Sequence, residues 1–146
     1  PTYMDYRIQA DKGSMYNTPN TFGIYVCGKI FRWIEETGGL VAMEQRNRAK
    51  ANLLYNLLDN SELFCGTAQK DSRSIANVTF RTPSKELDAE FIAGAAQRGI
   101  ANIKGHRVAV GMRASIYNAV TLESVRALAA WMDEFESLHC MGQRSL

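Results

Sequence analysis

The chain has 146 residues, of which 46% are hydrophobic and 22% charged, a size and composition typical of one soluble globular domain with a real core. The net charge of +2 and the scattered basic residues disfavour a nucleic-acid partner, and no apolar stretch approaches the roughly 18 residues of a membrane span. The three cysteines and two histidines form no cluster, which disfavours a zinc site or a disulfide framework, and free thiols are typical of the cytosol.

The chain begins with residues 1–18, which lack periodicity and which we expect to be irregular or extended. Asn17 or Thr18 then suits a helix cap, and Pro19 suits the first helical position, where a missing N–H costs nothing. Apolar residues recur at helical spacing over 22–34. The pattern therefore predicts a first long helix that is largely buried.

The remainder of the chain predicts helices and strands around a small sheet. In chain order these are a helix over 40–58, a short strand near 63–65, a half-buried strand over 75–81, a helix opened by Pro83 and Ser84 and ended by Gly99, strands over 100–104 and 112–117, and a helix from Thr121 to about Leu138. Helices covering one face of a mostly antiparallel sheet are the natural packing for this order, so we predict an α+β fold. All six lysines lie in polar sequence, and none reads as desolvated.

The stretch 105–118 carries groups suited to an anionic ligand. Arg113 is expected in mid-strand, on the face opposite the apolar residues, where it meets solvent or reaches into a cleft. Its guanidinium offers a rigid fork of donors that matches a carboxylate or phosphate. His106 and Arg107 precede it in a glycine-bounded loop, in a position to bind a second anionic group. The alternative is an ordinary solvated strand edge.

A second candidate site is the start of the first long helix, over residues 16–22. Unpaired N–H groups and the helix dipole make such a start a seat for phosphate, and Asn17 and Thr18 add side-chain donors. The alternative is that both residues only cap the helix. No nucleophile–base pair, glycine-rich phosphate loop or metal motif stands out, so the sequence offers binding groups without a reaction centre.

Six short motifs spread along the chain also carry a family resemblance. They are SMYNTP at 14–19, GGLVAME at 38–44, RN at 46–47, NVTFR at 77–81, KGHR at 104–107 and GMRASIYNA at 111–119. Together they resemble the carboxyl-terminal part of the phosphoserine aminotransferase family, pyridoxal-phosphate enzymes of fold-type I, class V. The similarity extends over nearly the whole chain to about His139, and the last motif is the most specific.

The resemblance implies that residues 1–20 are the tail end of a large cofactor-binding domain and residues 21–146 a C-terminal small domain. It implies an enzyme that moves an amino group between O-phosphoserine and 2-oxoglutarate, giving 3-phosphohydroxypyruvate and glutamate, in serine biosynthesis. The cofactor would be pyridoxal 5'-phosphate. The implied assembly is a cytoplasmic homodimer with active sites at the subunit boundary and no nucleic-acid or membrane partner.

The resemblance also implies roles for individual residues. Asn17 and Thr18 would reach the cofactor phosphate of the neighbouring subunit. Arg113 would bind the substrate α-carboxylate, and His106 and Arg107 the substrate phosphate. The Schiff-base lysine, the acidic partner of the pyridine nitrogen and the ring-stacking aromatic lie upstream in the family. We therefore expect this chain to be a piece of a longer one and inactive by itself.

Two positions depart from the family pattern, which usually has a second proline at Asn20 and a glycine at Val110. Three alternatives stay open at this point. Another class V enzyme, such as an alanine–glyoxylate aminotransferase or a cysteine desulfurase, has no reason to carry the His106-Arg107 pair. The others are a stand-alone, non-catalytic ligand-binding or regulatory α+β domain, and a structural dimerisation module.

Overall fold

The computed structural model describes residues 1–105 and 111–140. The helices are α1 (Tyr6–Asp11), α2 (Thr21–Glu36), α3 (Gly39–Asn60), α4 (Lys85–Gln97) and α5 (Leu122–Cys140), and the strands are β1 (Cys65–Gly66), β2 (Asn77–Arg81) and β3 (Met112–Ser115). The chain divides into two units, Pro1–Leu40 and Val41–Leu146. The boundary that the family resemblance implies, after residue 20, stays a prediction.

The first unit begins with a 3-10 turn, Thr2–Met4, followed by α1. Asp5 caps α1, since its carboxylate accepts hydrogen bonds from the backbone N–H of Arg7 at 3.0 Å and from the Arg7 guanidinium. The expectation of an irregular lead-in was therefore wrong over this stretch. A helix of six residues is too short to show the apolar periodicity by which longer helices are recognised.

Helix α2 begins at Thr21, and Asn20 is its N-cap. The Asn20 side chain accepts a hydrogen bond from the backbone N–H of Gly23 at 3.0 Å. Gly23 makes room for this cap, because a Cβ there would lie 2.8 Å from Asn20 Nδ2. The prediction of a cap at Asn17 or Thr18 was wrong. Asn20, the residue that departs from the family's proline, performs that role instead.

The apolar side chains of α2 lie at the predicted helical spacing but are not buried. None of residues 1–40, all of which are described, is buried; Phe22 is 76% exposed and Phe31 62%. The prediction of a largely buried helix was therefore wrong for this unit. Helical spacing shows that a surface is available for packing, whereas burial needs a second apolar surface, which this unit does not supply.

The second unit is built on a three-stranded antiparallel sheet with the order β1-β2-β3. One face of the sheet is apolar and packs against α3, α4 and α5. The core on this face comprises Ala51, Leu54, Tyr55, Leu58, Phe64, Val78, Phe80, Phe91, Ala95, Ile103, Met112, Ala114, Ile116, Val125, Leu128, Ala129, Trp131, Met132 and Phe135. The predicted α+β fold, with helices on one face of a small antiparallel sheet, is confirmed.

The predicted helix over 84–99 is confirmed as α4, with the Ser84 hydroxyl accepting from the Leu87 N–H at 3.2 Å. The predicted strand over 100–104 was wrong, because only an isolated bridge joins Lys104 to Met112. Asn102 has a φ of 59°, in the left-handed region that interrupts an extended backbone. The alternation of apolar residues in this segment therefore does not become a strand.

Candidate functional site

Arg113 lies in the middle of β3, on the face of the sheet opposite the core, as predicted. Its neighbours Met112 and Ala114 are 2% and 3% exposed, while Arg113 itself is half-buried. Thr79 on β2 pairs with Arg113 in the antiparallel register. On the same polar face, Ser115 Oγ donates a hydrogen bond of 3.1 Å to the side-chain oxygen of Asn77 on β2. The strand therefore presents a polar surface with one guanidinium at its centre.

The guanidinium of Arg113 has a buried donor. Its Nε is buried and has no hydrogen-bond partner among the described residues. A buried N–H without a partner costs free energy that an acceptor would recover, and Arg offers Nε together with one terminal nitrogen as a fork for a carboxylate. The geometry therefore favours a carboxylate-binding role over an ordinary solvated strand edge.

Backbone contacts beside β3 hold both ends of the segment 106–110. The N–H of Gly105 donates to the carbonyl of Gly111 at 3.1 Å, and the N–H of Arg113 donates to the carbonyl of Ile103 at 2.8 Å. Gly111 has a φ of 102°, and a Cβ there would lie 2.6 Å from the carbonyl oxygen of Phe80. Only glycine fits this position without strain.

The predicted phosphate-binding pair, His106 and Arg107, lies outside the described residues, as does Val110. The chain leaves the described structure at Gly105 and re-enters it at Gly111, two residues before Arg113. The structure therefore places the attachment points of this pair next to the strand that carries Arg113.

Asn17 and Thr18 lie in the first unit, whereas Arg113 lies in the second. Asn17 and Thr18 are both exposed, and neither of their side chains makes a hydrogen bond within the described part of the chain. Asn17 borders an open groove of about 400 Å³. The groove is lined by Tyr3, Met4, Tyr6, Gln9, Ser14 and Asn17. Because Asn20 caps α2, the alternative in which Asn17 and Thr18 only cap the helix is wrong.

Sequence reasoning missed Lys50, which is buried in α3 and only 2% exposed. Its ammonium donates three hydrogen bonds to backbone carbonyls, those of Ile116 at 3.0 Å, Tyr117 at 2.7 Å and Val120 at 2.9 Å. Burial lowers the pKa of Lys50, and the nearby charge of Arg46 lowers it further. Lys50 does follow the apolar spacing of α3, a signal that its polar sequence neighbours obscured.

Other kinds of site are not found in residues 1–105 and 111–140. No group of three or more His, Cys, Asp or Glu side chains there could hold a metal ion. None of the helices in these ranges combines the length and apolar character needed to cross a membrane. Cys27, Cys65 and Cys140 are all free thiols.

Comparison with known proteins identifies the relatives of this chain. Residues 1–128 match the family described as Aminotransferase class-V. The phosphoserine aminotransferases of Azotobacter vinelandii and Stutzerimonas stutzeri are 54% and 55% identical to it over 139 residues, which are 95% of this chain and 38% of each relative.

Solved structures agree with these sequence matches. The phosphoserine aminotransferase from Bacillus circulans subsp. alkalophilus has a TM-score of 0.86 at 46% identity and covers 94% of this chain and 38% of its own. The pyridoxal-phosphate-bound enzyme from Trichomonas vaginalis has a TM-score of 0.82 at 42% identity, over 91% and 38%. The chain thus spans 38% of the length of the relatives it matches. It belongs to the class-V aminotransferase family.

Proposed function

We propose that this chain supplies the carboxyl-terminal part of a phosphoserine aminotransferase. The complete enzyme would transfer an amino group between O-phosphoserine and 2-oxoglutarate, giving 3-phosphohydroxypyruvate and glutamate, in serine biosynthesis. Relatives more than half identical to the chain carry this name. The observation that carries the proposal is the Nε of Arg113 on the polar face of β3, which is buried and has no hydrogen-bond partner in residues 1–105 and 111–140, because both substrates have an α-carboxylate.

Arg113 would bind that carboxylate through two parallel N–H···O hydrogen bonds, which fix the direction of the substrate as well as its position. His106 and Arg107 would bind the phosphate at the other end of phosphoserine. Two anion sites on one continuous segment favour a substrate with two anionic groups. Alanine, with only one, would leave the second site without a ligand.

The residues present fit a pyridoxal-phosphate cofactor. Asn17 and Thr18 are exposed at the start of α2, and their side chains are not used as caps, so they are available to donate hydrogen bonds to the cofactor phosphate, in the neighbouring subunit as the family resemblance implies. When bound, the cofactor supplies an electron sink for bonds broken at the substrate Cα. The family resemblance places the cofactor-bearing lysine outside this chain, so the chain alone is inactive under this proposal.

The proposal includes a cytoplasmic homodimer. The apolar side chains that recur at helical spacing on one face of α2 are exposed, at 76% for Phe22, 37% for Val26, 47% for Ile30 and 37% for Trp33. An apolar helix face left exposed in this way mostly lies in an interface, which supports an assembled protein. The three free thiols fit a reducing compartment.

The test is transamination by the full-length protein with phosphoserine and 2-oxoglutarate, beside the variants Arg107→Ala and Arg113→Lys. We expect strong activity in the wild type and a loss of kcat/KM of about 100-fold in each variant, because each removes charge-assisted hydrogen bonds to the substrate. Arg81→Ala, which removes an exposed arginine at the end of β2, is the matched control and should retain activity.

Two outcomes would contradict the proposal. Activity on alanine that is indifferent to Arg107→Ala would keep the family and overturn the substrate. Turnover by the 146-residue chain alone would overturn the view that the catalytic lysine lies elsewhere.

A further inference from the structure

Lys50 is buried with a hydrogen-bonded ammonium group, which hydrophobic packing alone does not explain. An ammonium has three donors, and here each of them has a backbone carbonyl as its partner. Removing a charge from water is costly, and apolar side chains in such a position are often at least as stabilising as buried ions. The distinctive effect of the lysine is to hold three carbonyls of one short turn, Ile116–Val120, at a single point.

This turn is the direct continuation of β3. The N–H of Ile116 donates to the carbonyl of Ala76 at 2.9 Å and extends the pairing of β3 with β2 by one residue. Arg113 lies three residues before Ile116. At the other end of β3, Gly111 lies against Phe80. The four-residue strand that carries Arg113 is therefore fixed at its start by Gly111 and at its end by the Lys50 turn.

A second side chain of α3 contacts the same turn. Asn47, one helical turn before Lys50, donates from Nδ2 to the side-chain oxygen of Asn118 at 2.7 Å. Asn47 is only 9% exposed. Two polar side chains on the buried face of one helix thus hold one turn, through its backbone and through a side chain.

We propose that Lys50 is a positioning residue for substrate binding: its ammonium anchors the Ile116–Val120 turn and so fixes the end of the strand from which Arg113 reaches the substrate carboxylate. The inference rests on the proposed function for the identity of the ligand. The anchoring itself depends only on contacts within the second unit.

The experiment uses the full-length holoenzyme with Lys50→Met, which keeps the length of the side chain and removes its three donors. Asn118→Ala is a milder second variant, because it removes the contact with Asn47 and keeps the three backbone carbonyls to which Lys50 donates. Tyr55→Phe is the matched control: it removes one partly buried hydrogen bond from the same helix, the bond from Tyr55 Oη to the carbonyl of Ser74 at 2.9 Å, away from the turn. Amide hydrogen exchange and steady-state kinetics are measured for all of them.

We expect Lys50→Met to accelerate exchange of the Arg113 and Ile116 amides about tenfold or more while Phe91 in α4 stays protected. We expect KM for both phosphoserine and 2-oxoglutarate to rise about tenfold with kcat changed much less, since both substrates present the same carboxylate. Asn118→Ala should show the same pattern more weakly, and Tyr55→Phe should show neither effect.

Unchanged exchange at Arg113 and Ile116 in the two turn variants would overturn the inference, as would a uniform loss of protection that includes Phe91. Equal effects in Tyr55→Phe would overturn it too, because they would reflect general destabilisation of α3. If Lys50→Met does not fold, Asn118→Ala decides the matter by the same criteria. A wild-type enzyme inactive on phosphoserine would overturn the proposed function alone, since the exchange measurement needs no substrate.

Discussion

The two units of the chain differ in whether their apolar side chains are buried. In the second unit, three helices and one face of the sheet bury one another in a continuous core. In the first, α2 has an apolar face of similar character, yet none of its residues is buried. Local signals are sufficient to form a helix with an apolar stripe, whereas burial of that stripe requires another surface.

The candidate site residues differ in the same way. Arg113 lies on a strand that the second unit holds through β2, Ile103 and Gly111. Asn17 and Thr18 are exposed before α2, and no side-chain hydrogen bond holds either of them in the part of the chain that the structure describes. Under the proposed function, the carboxylate site would thus be largely prepared by the second unit, while a cofactor-phosphate site at Asn17 and Thr18 would need surfaces from other parts of the protein.

The largest expected effect compares a phenylalanine from each unit. Phe91 is 0% exposed, and its ring packs against those of Phe64 and Trp131, so Phe91→Ala should lower the free energy of unfolding by about 3–5 kcal/mol. Phe31→Ala, at a side chain 62% exposed, should change it by no more than about 0.5 kcal/mol. Urea unfolding of this chain, followed by circular dichroism, measures both. Similar losses would show that α2 is buried in this chain after all.

One glycine from each unit extends the comparison to the backbone, through the effect of an added Cβ on stability. Gly111→Ala should destabilise the chain by about 1–3 kcal/mol, because the residue has a positive φ and its Cβ would meet the carbonyl of Phe80. Gly28→Ala, in the middle of α2 with open space around it, should stabilise the chain by about 0.5–1 kcal/mol. Thermal unfolding of the two variants decides this, and a stabilising Gly111→Ala would refute the proposed fit of that turn.

Substitutions just before α2 test helix capping and the proposed cofactor binding separately. Asn20→Ala should reduce the stability of α2 by about 1 kcal/mol, because it removes the hydrogen bond to the Gly23 N–H. Asn17→Ala should leave the helix content unchanged and weaken binding of pyridoxal phosphate to the full-length protein. Circular dichroism and cofactor titration provide the two measurements. A loss of helix in Asn17→Ala would restore the capping role to that residue.

Two surface carboxylates should give the smallest effects. Hydrogen bonds from Arg73 hold the pKa of Asp59 at about 2, below its ordinary 3.8, and Arg7 lowers the pKa of Asp5 in the first unit. A carboxylate whose pKa is lowered by folding stabilises the fold above its ordinary pKa, and this contribution is lost as the pH falls. Asp59→Asn should therefore destabilise the chain at neutral pH, by an amount that fades between about pH 4 and pH 2. Asp5→Asn is the matched variant in the first unit. A difference in the free energy of unfolding between the wild type and either variant that grows at low pH would contradict this assignment.

Periodicity and turn residues predicted the four longer helices, α2 to α5, the central strands and the face of β3 on which Arg113 lies. These signals did not predict the conformation of Asn102 or the burial of Lys50. Asn102 adopts a left-handed conformation that ends a promising strand, and Lys50 is buried because carbonyls distant in sequence surround its ammonium. The apolar spacing of α3 includes Lys50, but the carbonyls that accept from its ammonium are tertiary contacts, which no local pattern contains. The cap at Asn20 was detectable, since asparagine is a strong capping residue, but Pro19 drew the prediction towards earlier positions.

The backbone closure between Gly105 and Gly111 has a consequence for how substrate preference can evolve. The Gly105 N–H donates to the Gly111 carbonyl and the Arg113 N–H to the Ile103 carbonyl, so the path of the chain into β3 is held by contacts between residues outside the segment 106–110. Under the proposed function, substitutions within 106–110 would change recognition of the distal group of the substrate, while the backbone that carries Arg113 to the α-carboxylate stays held by Gly105, Gly111 and Ile103.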